Sequence, residues 1–189
     1  MLRPTILFGL LLTLTPAGVA HAQHDQHAPA HAPDREALIR NALSAAPLSV
    51  AEHAAVMLPS GEELRAGTNG YVCMPDDPAV PNNAPMCLDA PWLELIDAWM
   101  NRRQPKVTGM GISYMLQGDM PVSNVDPFAT APTPQNAWIQ AGPPHIMIVT
   151  PDLASLDVIS TDPANGGPWV MWKGTPYAHI MVPAVPMHH

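Results

Sequence analysis

The chain has 189 residues, with 16 acidic against 8 basic side chains and a formal charge of −8 at pH 7. A nucleic-acid partner is disfavoured, because phosphate binding needs a basic surface that so few Lys and Arg residues cannot assemble. The 24 prolines and 12 glycines stay below the roughly 25–30% that marks a low-complexity chain. The composition therefore predicts a folded protein with proline-stiffened connections.

The amino terminus has the layout of a secretory signal peptide over residues 1–22. Arg3 precedes the apolar run Ile6 to Leu14, and the small-x-small triplet Ala20-His21-Ala22 follows. The apolar run is much shorter than the ~20 residues of a membrane-spanning helix. We therefore expect cleavage after Ala22, export to the periplasm or the cell exterior, and no membrane span in the mature chain.

A polar arm, residues 23–33, follows the expected cleavage point. Its prolines interrupt any helix, so we expect the arm to be disordered. It carries His24, His27 and His31, and the chain ends on Met187-His188-His189. Short histidine-rich tracts can hold copper, zinc or nickel loosely, although a merely polar tail would have the same composition.

Two segments have the apolar spacing of amphipathic helices. The first begins at the N-cap Asp34 and ends before Pro47. The second begins after Asp89 and has Pro91 in its first turn, where proline is tolerated. It carries an apolar stripe that we expect to be buried. The residues of this stripe are Trp92, Leu95, Ile96, Trp99 and Met100.

The two cysteines, Cys73 and Cys87, lie between these helices. Export would place them in an oxidising compartment, where thiols pair, and closing a loop of this length stabilises a fold by about 3 kcal/mol. A pair of metal thiolates is the alternative, but the sequence has neither a Cys-x-x-Cys spacing nor a nearby histidine to support it. We therefore expect a disulfide.

Five segments have the composition of β-strands. They are Gly70–Met74, Gly109–Leu116, His145–Thr150, Trp169–Trp172 and Tyr177–Val182. The last two flank a turn at residues 173–176 and predict a hairpin. We expect a single α+β domain over residues 34–189 that ends in a short tail. It would contain a small, mostly antiparallel sheet, two helices on one side of the sheet, and long proline-rich loops.

The tripeptide His-Ile-Met occurs twice, in the third and the fifth predicted strand. Side chains alternate along a strand, so His145 and Met147 share one face, as do His179 and Met181. If the two strands are neighbours, two imidazoles and two thioethers converge, and this set suits copper because thioethers select copper(I). Alternatively these are core residues, since methionine fills irregular cores and buried histidine often bonds a carbonyl.

The final hairpin is rich in aromatic residues and methionine. Its side chains could line an apolar ligand groove or a partner surface, or they could belong to the core. These residues are Trp169, Met171, Trp172 and Tyr177. Trp169 and Met171 share one face of their strand and could also wall the proposed metal site.

The sequence contains neither a Gly-x-Ser-x-Gly elbow nor a His-Glu-x-x-His motif. A hydrolytic mechanism would need His145 or His179 as the base and an aspartate to orient it. The candidate aspartates are Asp126, Asp152, Asp157 and Asp162. Most of them adjoin proline or glycine, a setting typical of turns.

Three segments resemble a group of small exported proteobacterial proteins that have no assigned activity. The segments are Asp126–Thr130, Pro143–Met147 and Gly166–Pro183, and the likeness extends over most of the chain between Asp34 and Pro183. The resemblance implies export and a single domain, and it implies no functional residue.

The leading hypothesis is a periplasmic protein that binds copper, a similar soft metal or a small ligand, with His145, Met147, His179 and Met181 as metal ligands. One alternative is an envelope interaction or structural domain without metal, and another is a hydrolytic enzyme that uses a strand histidine. A shared metal site requires that the two His-Ile-Met strands lie side by side. It also requires that the imidazoles of His145 and His179 come close enough to share an ion, with at least one sulfur facing them.

Overall fold

The computed structural model describes residues 34–80, 82–139 and 142–184. The expected signal peptide, the arm with His24, His27 and His31, and the terminal Met187-His188-His189 lie outside these residues. The described residues all fall within one compact unit, Pro33–His189. Among them, no helix is long and apolar enough to cross a membrane.

Strands make up the centre of the fold. In chain order they are β1 (Ala55–Met57), β2 (Glu63–Arg65), β3 (Val72–Met74), β4 (Met86–Leu88), β5 (Gly111–Met115), β6 (Val122–Ser123), β7 (Trp138–Ile139), β8 (His145–Val149), β9 (Trp169–Met171) and β10 (His179–Pro183). Eight of them form one sheet in the order β2-β1-β3-β4-β5-β8-β10-β9, and β6 pairs with β7 separately. Strands β1 and β3 run parallel and the other neighbours antiparallel. The sheet is therefore mixed, and it is larger than the small sheet expected.

Helices accompany this sheet. They are α1 (Arg35–Leu43), α2 (Leu48–Ala51), α3 (Ala90–Met100) and a 3-10 helix at Leu153–Val158. Both predicted helices are confirmed with their caps, since Asp34 accepts the N–H of Glu36 and Asp89 accepts that of Trp92. The other two are too short to show a helical period in the sequence. Met100, expected in the buried stripe, is 68% exposed at the end of α3.

The helices cover both faces of the sheet, so the expectation that they lie on one side is wrong. Successive residues of β4 show this, because side chains alternate along a strand. Cys87 is buried in a cluster with Ala42 of α1, whereas Leu88 is buried in a cluster with Trp92 of α3. An eight-stranded sheet has two wide apolar faces, and each of them needs a cover.

The five predicted strands are present as β3, β5, β8, β9 and β10, and β9 and β10 pair antiparallel as predicted. Strand β9 ends one residue early because Trp172 turns into the left-handed region at φ 56°. Strands β1, β2 and β4, which the sequence did not predict, are each three residues long, and strands of this length show little alternation of apolar and polar residues.

A disulfide joins Cys73 of β3 to Cys87 of β4, which confirms the predicted pairing. The two cysteines are direct cross-strand neighbours. Both are fully buried in the cluster that includes Ala42 of α1. The bridge therefore ties together two strands under the first helix.

Removing this bridge should destabilise the protein. In the double variant Cys73→Ala/Cys87→Ala we expect the free energy of unfolding to fall by about 3 kcal/mol, because the unfolded chain regains loop freedom. Urea denaturation measures the change. A reductant should lower the stability of the parent and leave the double variant unchanged. Equal stability of the oxidised parent and the variant would contradict this account.

Helix α3 is fixed to the sheet at its first turn. Oδ1 of Asp89 accepts the N–H of Trp92 at 3.1 Å, and Oδ2 accepts the N–H of Ile112 in β5 at 2.6 Å. Gly111 allows this close approach, because a Cβ atom there would lie 2.6 Å from Cβ of Pro91. This contact determines how closely the start of α3 packs against β5.

The substitution Gly111→Ala tests this packing. We expect it to lower the free energy of unfolding by about 1–3 kcal/mol, because overpacking forces backbone shifts. Gly109→Ala is the matched control, since a Cβ at residue 109 meets nothing within 4 Å; its effect should stay within about 0.5 kcal/mol. Thermal or urea unfolding compares the two variants, and equal effects would argue against a close contact at residue 111.

Candidate functional site

The two His-Ile-Met strands, β8 and β10, are antiparallel neighbours. Met147 pairs directly with Met181, and directly paired residues point to the same face of a sheet. Both methionines belong to the core cluster that includes Trp92 of α3. His145 and His179 lie two residues before these methionines and share their face. We call the four side chains of His145, Met147, His179 and Met181 the His–Met face.

The register places the two histidines at opposite ends of the methionine pair. His145 pairs with Pro183, which lies four residues from His179, or about 14 Å along a strand. Each histidine is two residues from one methionine on its own strand and diagonal to the other methionine across the pair. The His–Met face therefore has approximate two-fold symmetry, with the thioethers between the imidazoles. The two imidazoles do not converge on one point, contrary to what the sequence had led us to expect for neighbouring strands.

Both imidazoles are buried, with exposed fractions of 1% for His145 and 2% for His179. In each ring, Nδ1 lies at hydrogen-bond distance from the carbonyl oxygen two residues earlier. The distances are 2.7 Å to Pro143 and 3.0 Å to Tyr177. A carbonyl oxygen only accepts, so Nδ1 carries the proton and donates it, and Nε2 of the neutral ring keeps a free lone pair.

Neither Nε2 atom has a hydrogen-bond partner among the described residues. Ser113 lies on β5 opposite Met147, and its hydroxyl is also buried without a hydrogen-bond partner among the described residues. Buried polar atoms without partners are rare and call for an explanation such as a bound ion or water. A histidine that binds metal typically has its second ring nitrogen fixed by a carbonyl or a carboxylate, and both rings fit that description.

Two indole rings surround His179. The ring centroids of Trp92 and Trp172 lie 5.1 and 5.0 Å from that of His179, both edge-on. The left-handed backbone of Trp172 is costly for a residue with a side chain. Its indole N–H donates to the carbonyl of Ser123 at 2.8 Å, and this bond helps to hold the ring against His179.

Burial lowers the pKa of His179 to about 4. The hydrogen bond to the carbonyl of Tyr177 acts in the opposite direction, and His145 adds to the lowering. The ring is therefore predominantly neutral at neutral pH. Its Nε2 lone pair stays unprotonated at neutral pH.

His145 has a different neighbour, the carboxyl group of Asp119 in the loop after β5. Nε2 of His145 and Oδ2 of Asp119 are 4.0 Å apart, too far for a hydrogen bond, while Oδ1 accepts the N–H of Met120. Burial raises the pKa of Asp119. The side chain of Asp119 is still 20% exposed, so solvent reaches the carboxyl group beside this end of the His–Met face.

The candidate aspartates of a hydrolytic site lie elsewhere. Those at 126, 152 and 162 each accept a backbone N–H two residues later in their own turns, and Asp157 pairs with Lys173. Asp119, which the sequence did not indicate, is the carboxylate beside a strand histidine. Its position depends on the loop after β5, and no motif marks it.

The aromatic and methionine side chains of the final hairpin are buried in the core. Trp169 lies opposite Met181 and Met171 lies opposite His179, so both wall the His–Met face. Trp172 and Tyr177 belong to the same buried cluster. A cavity of about 480 Å³ lies beside the hairpin, and none of the predicted groove residues Trp169, Met171, Trp172 and Tyr177 lines it.

The described residues contain no group of three or more His, Cys, Asp or Glu side chains that could hold a metal ion. A metal site on the His–Met face would therefore depend on thioether sulfur as well as imidazole nitrogen. Comparison of the chain with protein-family models, curated proteins and solved structures finds no match. The functional argument rests on the geometry of the His–Met face.

The burial of His179 predicts a stability that falls in acid. Between pH 6.5, the usual pKa of an unfolded histidine, and about 4, its pKa in the folded chain, the unfolded chain binds a proton that the native state does not. The free energy of unfolding should therefore decrease as pH drops through this window, by about 3 kcal/mol in all.

Urea denaturation of metal-free protein between pH 7 and pH 4.5 measures this loss. His179→Leu should remove this part of the pH dependence, whereas the matched control His53→Ala, at an exposed histidine, should retain it. An unchanged slope in the His179 variant would show that another group is responsible.

Proposed function

We propose that this chain is an exported periplasmic protein that binds a soft metal ion, copper(I) first of all, on its His–Met face. One observation carries the proposal. Two buried imidazoles flank a directly paired set of methionines, and each has Nδ1 held by a backbone carbonyl and Nε2 without a hydrogen-bond partner among the described residues.

The donor types favour a soft ion. Thioether sulfur is a soft ligand that selects copper(I), and imidazole accepts copper in either state. Each histidine lies two residues from the methionine of its own strand and is a diagonal neighbour of the methionine on the other strand. One imidazole and two thioethers can therefore bind an ion together. Either His145 or His179 can supply the nitrogen, so the symmetry gives two related positions that share the sulfurs of Met147 and Met181.

The surroundings of this donor set also suit an ion that binds through soft ligands. Trp92 and Trp172 lie beside His179, and Met171 is its cross-strand neighbour. These side chains are themselves buried, and an apolar surrounding of this kind limits the access of water to a metal site. A hard divalent cation prefers several oxygen ligands, and the described residues contain no group of three or more His, Cys, Asp or Glu side chains that could supply them.

Export is supported by the Cys73–Cys87 bridge, because disulfides form and persist in oxidising compartments. The signal-like residues 1–22 support it independently. The arm histidines His24, His27 and His31 are a separate and weaker candidate site for the same ions, since only composition supports them.

The alternative is an envelope interaction or structural domain in which the same side chains are core. The burial of all four members of the His–Met face favours it, because methionine and aromatic residues often pack together without a ligand. Metal binding by the folded chain separates the two functions.

Silver(I) tests the proposal, because it is a soft monovalent ion that does not change oxidation state during the titration. The parent for this test is the full chain with the tail histidines His24, His27, His31, His188 and His189 replaced by Ala. Calorimetry in chloride-free buffer should show one tight equivalent of silver(I). The double variant Met147→Leu/Met181→Leu, which conserves volume, should lose that binding and still fold.

Met74→Leu/Met86→Leu is the matched control. It makes the same change at another direct cross-strand methionine pair, one whose strands carry no histidine, and it should keep the silver(I) equivalent. Equal loss in both double variants would mean that the binding is not specific to the His–Met face. Absence of binding by the parent would favour the structural alternative.

A further inference from the structure

We propose that Asp119 and His145 form the entry point through which the metal ion reaches the His–Met face. This inference rests on the proposed metal-binding function and adds a route to it. The site is buried, so an ion must pass from solvent to the thioethers, and the structure favours one end of the face for that step.

The possible ligand atoms form a series that begins in the loop after β5 and continues along β8 and β10. At the outer end, Oδ2 of Asp119 lies 4.0 Å from Nε2 of His145. The Met147–Met181 pair follows, and His179 comes last. Residues two apart on a strand are separated by about 7 Å, so flexible methionine side chains can pass an ion from one donor to the next.

Exposure is confined to the outer end of this series. Asp119 is 20% exposed, whereas the four members of the His–Met face are all buried. The inner end is covered by α3, whose Trp92 contacts His179 and donates its indole N–H to the carbonyl of Met147 at 3.2 Å. Of these donors, Asp119 is therefore the first that an ion from solvent would meet.

The gap between Asp119 and His145 has the dimensions of a cation contact. Two metal–ligand bonds of about 2.0–2.2 Å each can span a separation of this size. Nε2 of His145 is buried and has no hydrogen-bond partner among the described residues. Gly142 lies close by, and a Cβ there would be 3.3 Å from Cβ of Asp119 and 3.9 Å from Cε1 of His145. Glycine therefore keeps the space beside this pair free of a side chain.

The side chains of Asp119 and His145 are better suited to binding a soft ion transiently than to holding it at equilibrium. A carboxylate attracts cations and raises their rate of association, and oxygen is a poorer ligand for a soft ion than the thioethers further in. An ion held by Asp119 and His145 would therefore move on to the methionines. Loss of the carboxylate should slow binding and leave the amount bound at equilibrium unchanged.

Stopped-flow mixing with silver(I) tests this role in the full chain without tail histidines. Tryptophan fluorescence reports the ion's arrival on the His–Met face, because Trp92 and Trp172 lie next to His179 and Trp169 lies opposite Met181. We expect Asp119→Asn to slow the fluorescence change at least about tenfold without altering the equivalents bound. The Asn side-chain oxygen can still accept the N–H of Met120, so circular dichroism should show an intact fold.

Asp152→Asn is the matched control. This substitution also removes one negative charge, but beyond the opposite end of β8. In the parent, the carboxylate of Asp152 accepts the backbone N–H of Ala154, much as that of Asp119 accepts the N–H of Met120. Its uptake rate should equal that of the parent. Equal slowing in both variants would assign the effect to net charge and overturn the entry point.

Two further outcomes would also overturn the entry role. If Asp119→Asn binds the same silver(I) equivalent at an unchanged rate, the entry role is wrong and the proposed metal-binding function is unaffected. Loss of that equivalent in a folded Asp119→Asn would instead make Asp119 a ligand of the final site. If the parent binds no silver(I) at all, the proposed function itself fails.

Discussion

The antiparallel pairing of β8 with β10 is the constraint on which the candidate site depends. Because side chains alternate, a slip of one residue would turn one half of the His–Met face to the opposite side of the sheet. Neighbouring strands resist such a slip, since β5 pairs with all five residues of β8 and β9 pairs with the start of β10. The apolar residues between the histidines and methionines also resist it, since Ile180 packs on the other face with Val170 and Leu156.

Each outermost strand of the sheet has a backbone group that is hydrogen-bonded outside the sheet. At one edge, the guanidinium of Arg35 donates to the carbonyl of Leu64 in β2 at 2.6 Å. At the other, the N–H of Val170 in β9 donates to the carbonyl of Ser160 at 2.7 Å. Groups occupied in this way are not free to pair with another strand. The bond at β9 matters most for the site, because this strand carries Met171 beside His179.

Much of the site's composition could be predicted from the sequence, but its geometry could not. Alternation within a strand is local, so the shared face of His145 and Met147 follows from their spacing. The separation of His145 from His179 depends on the register between distant strands, which spacing does not determine. Asp119 could not be predicted from the sequence, because only the folded loop after β5 brings it close to His145. The helices were assigned to one side because strands of three residues, such as β4, leave too little alternation to reveal the width of the sheet.

The hydrogen bonds of the two histidines also separate ligand binding from hydrolysis. In a hydrolytic triad a carboxylate takes Nδ1, so that Nε2 can accept a proton from the nucleophile and the resulting imidazolium is stabilised. Here backbone carbonyls take Nδ1 of both rings, and they carry no full charge to stabilise an imidazolium. Burial moves the pKa of His179 to about 4, far from the neutral value that suits a general base. Such a ring is suited to offering a lone pair and poorly suited to accepting a proton. Next to two thioethers, a lone pair of this kind is what a soft metal ion requires.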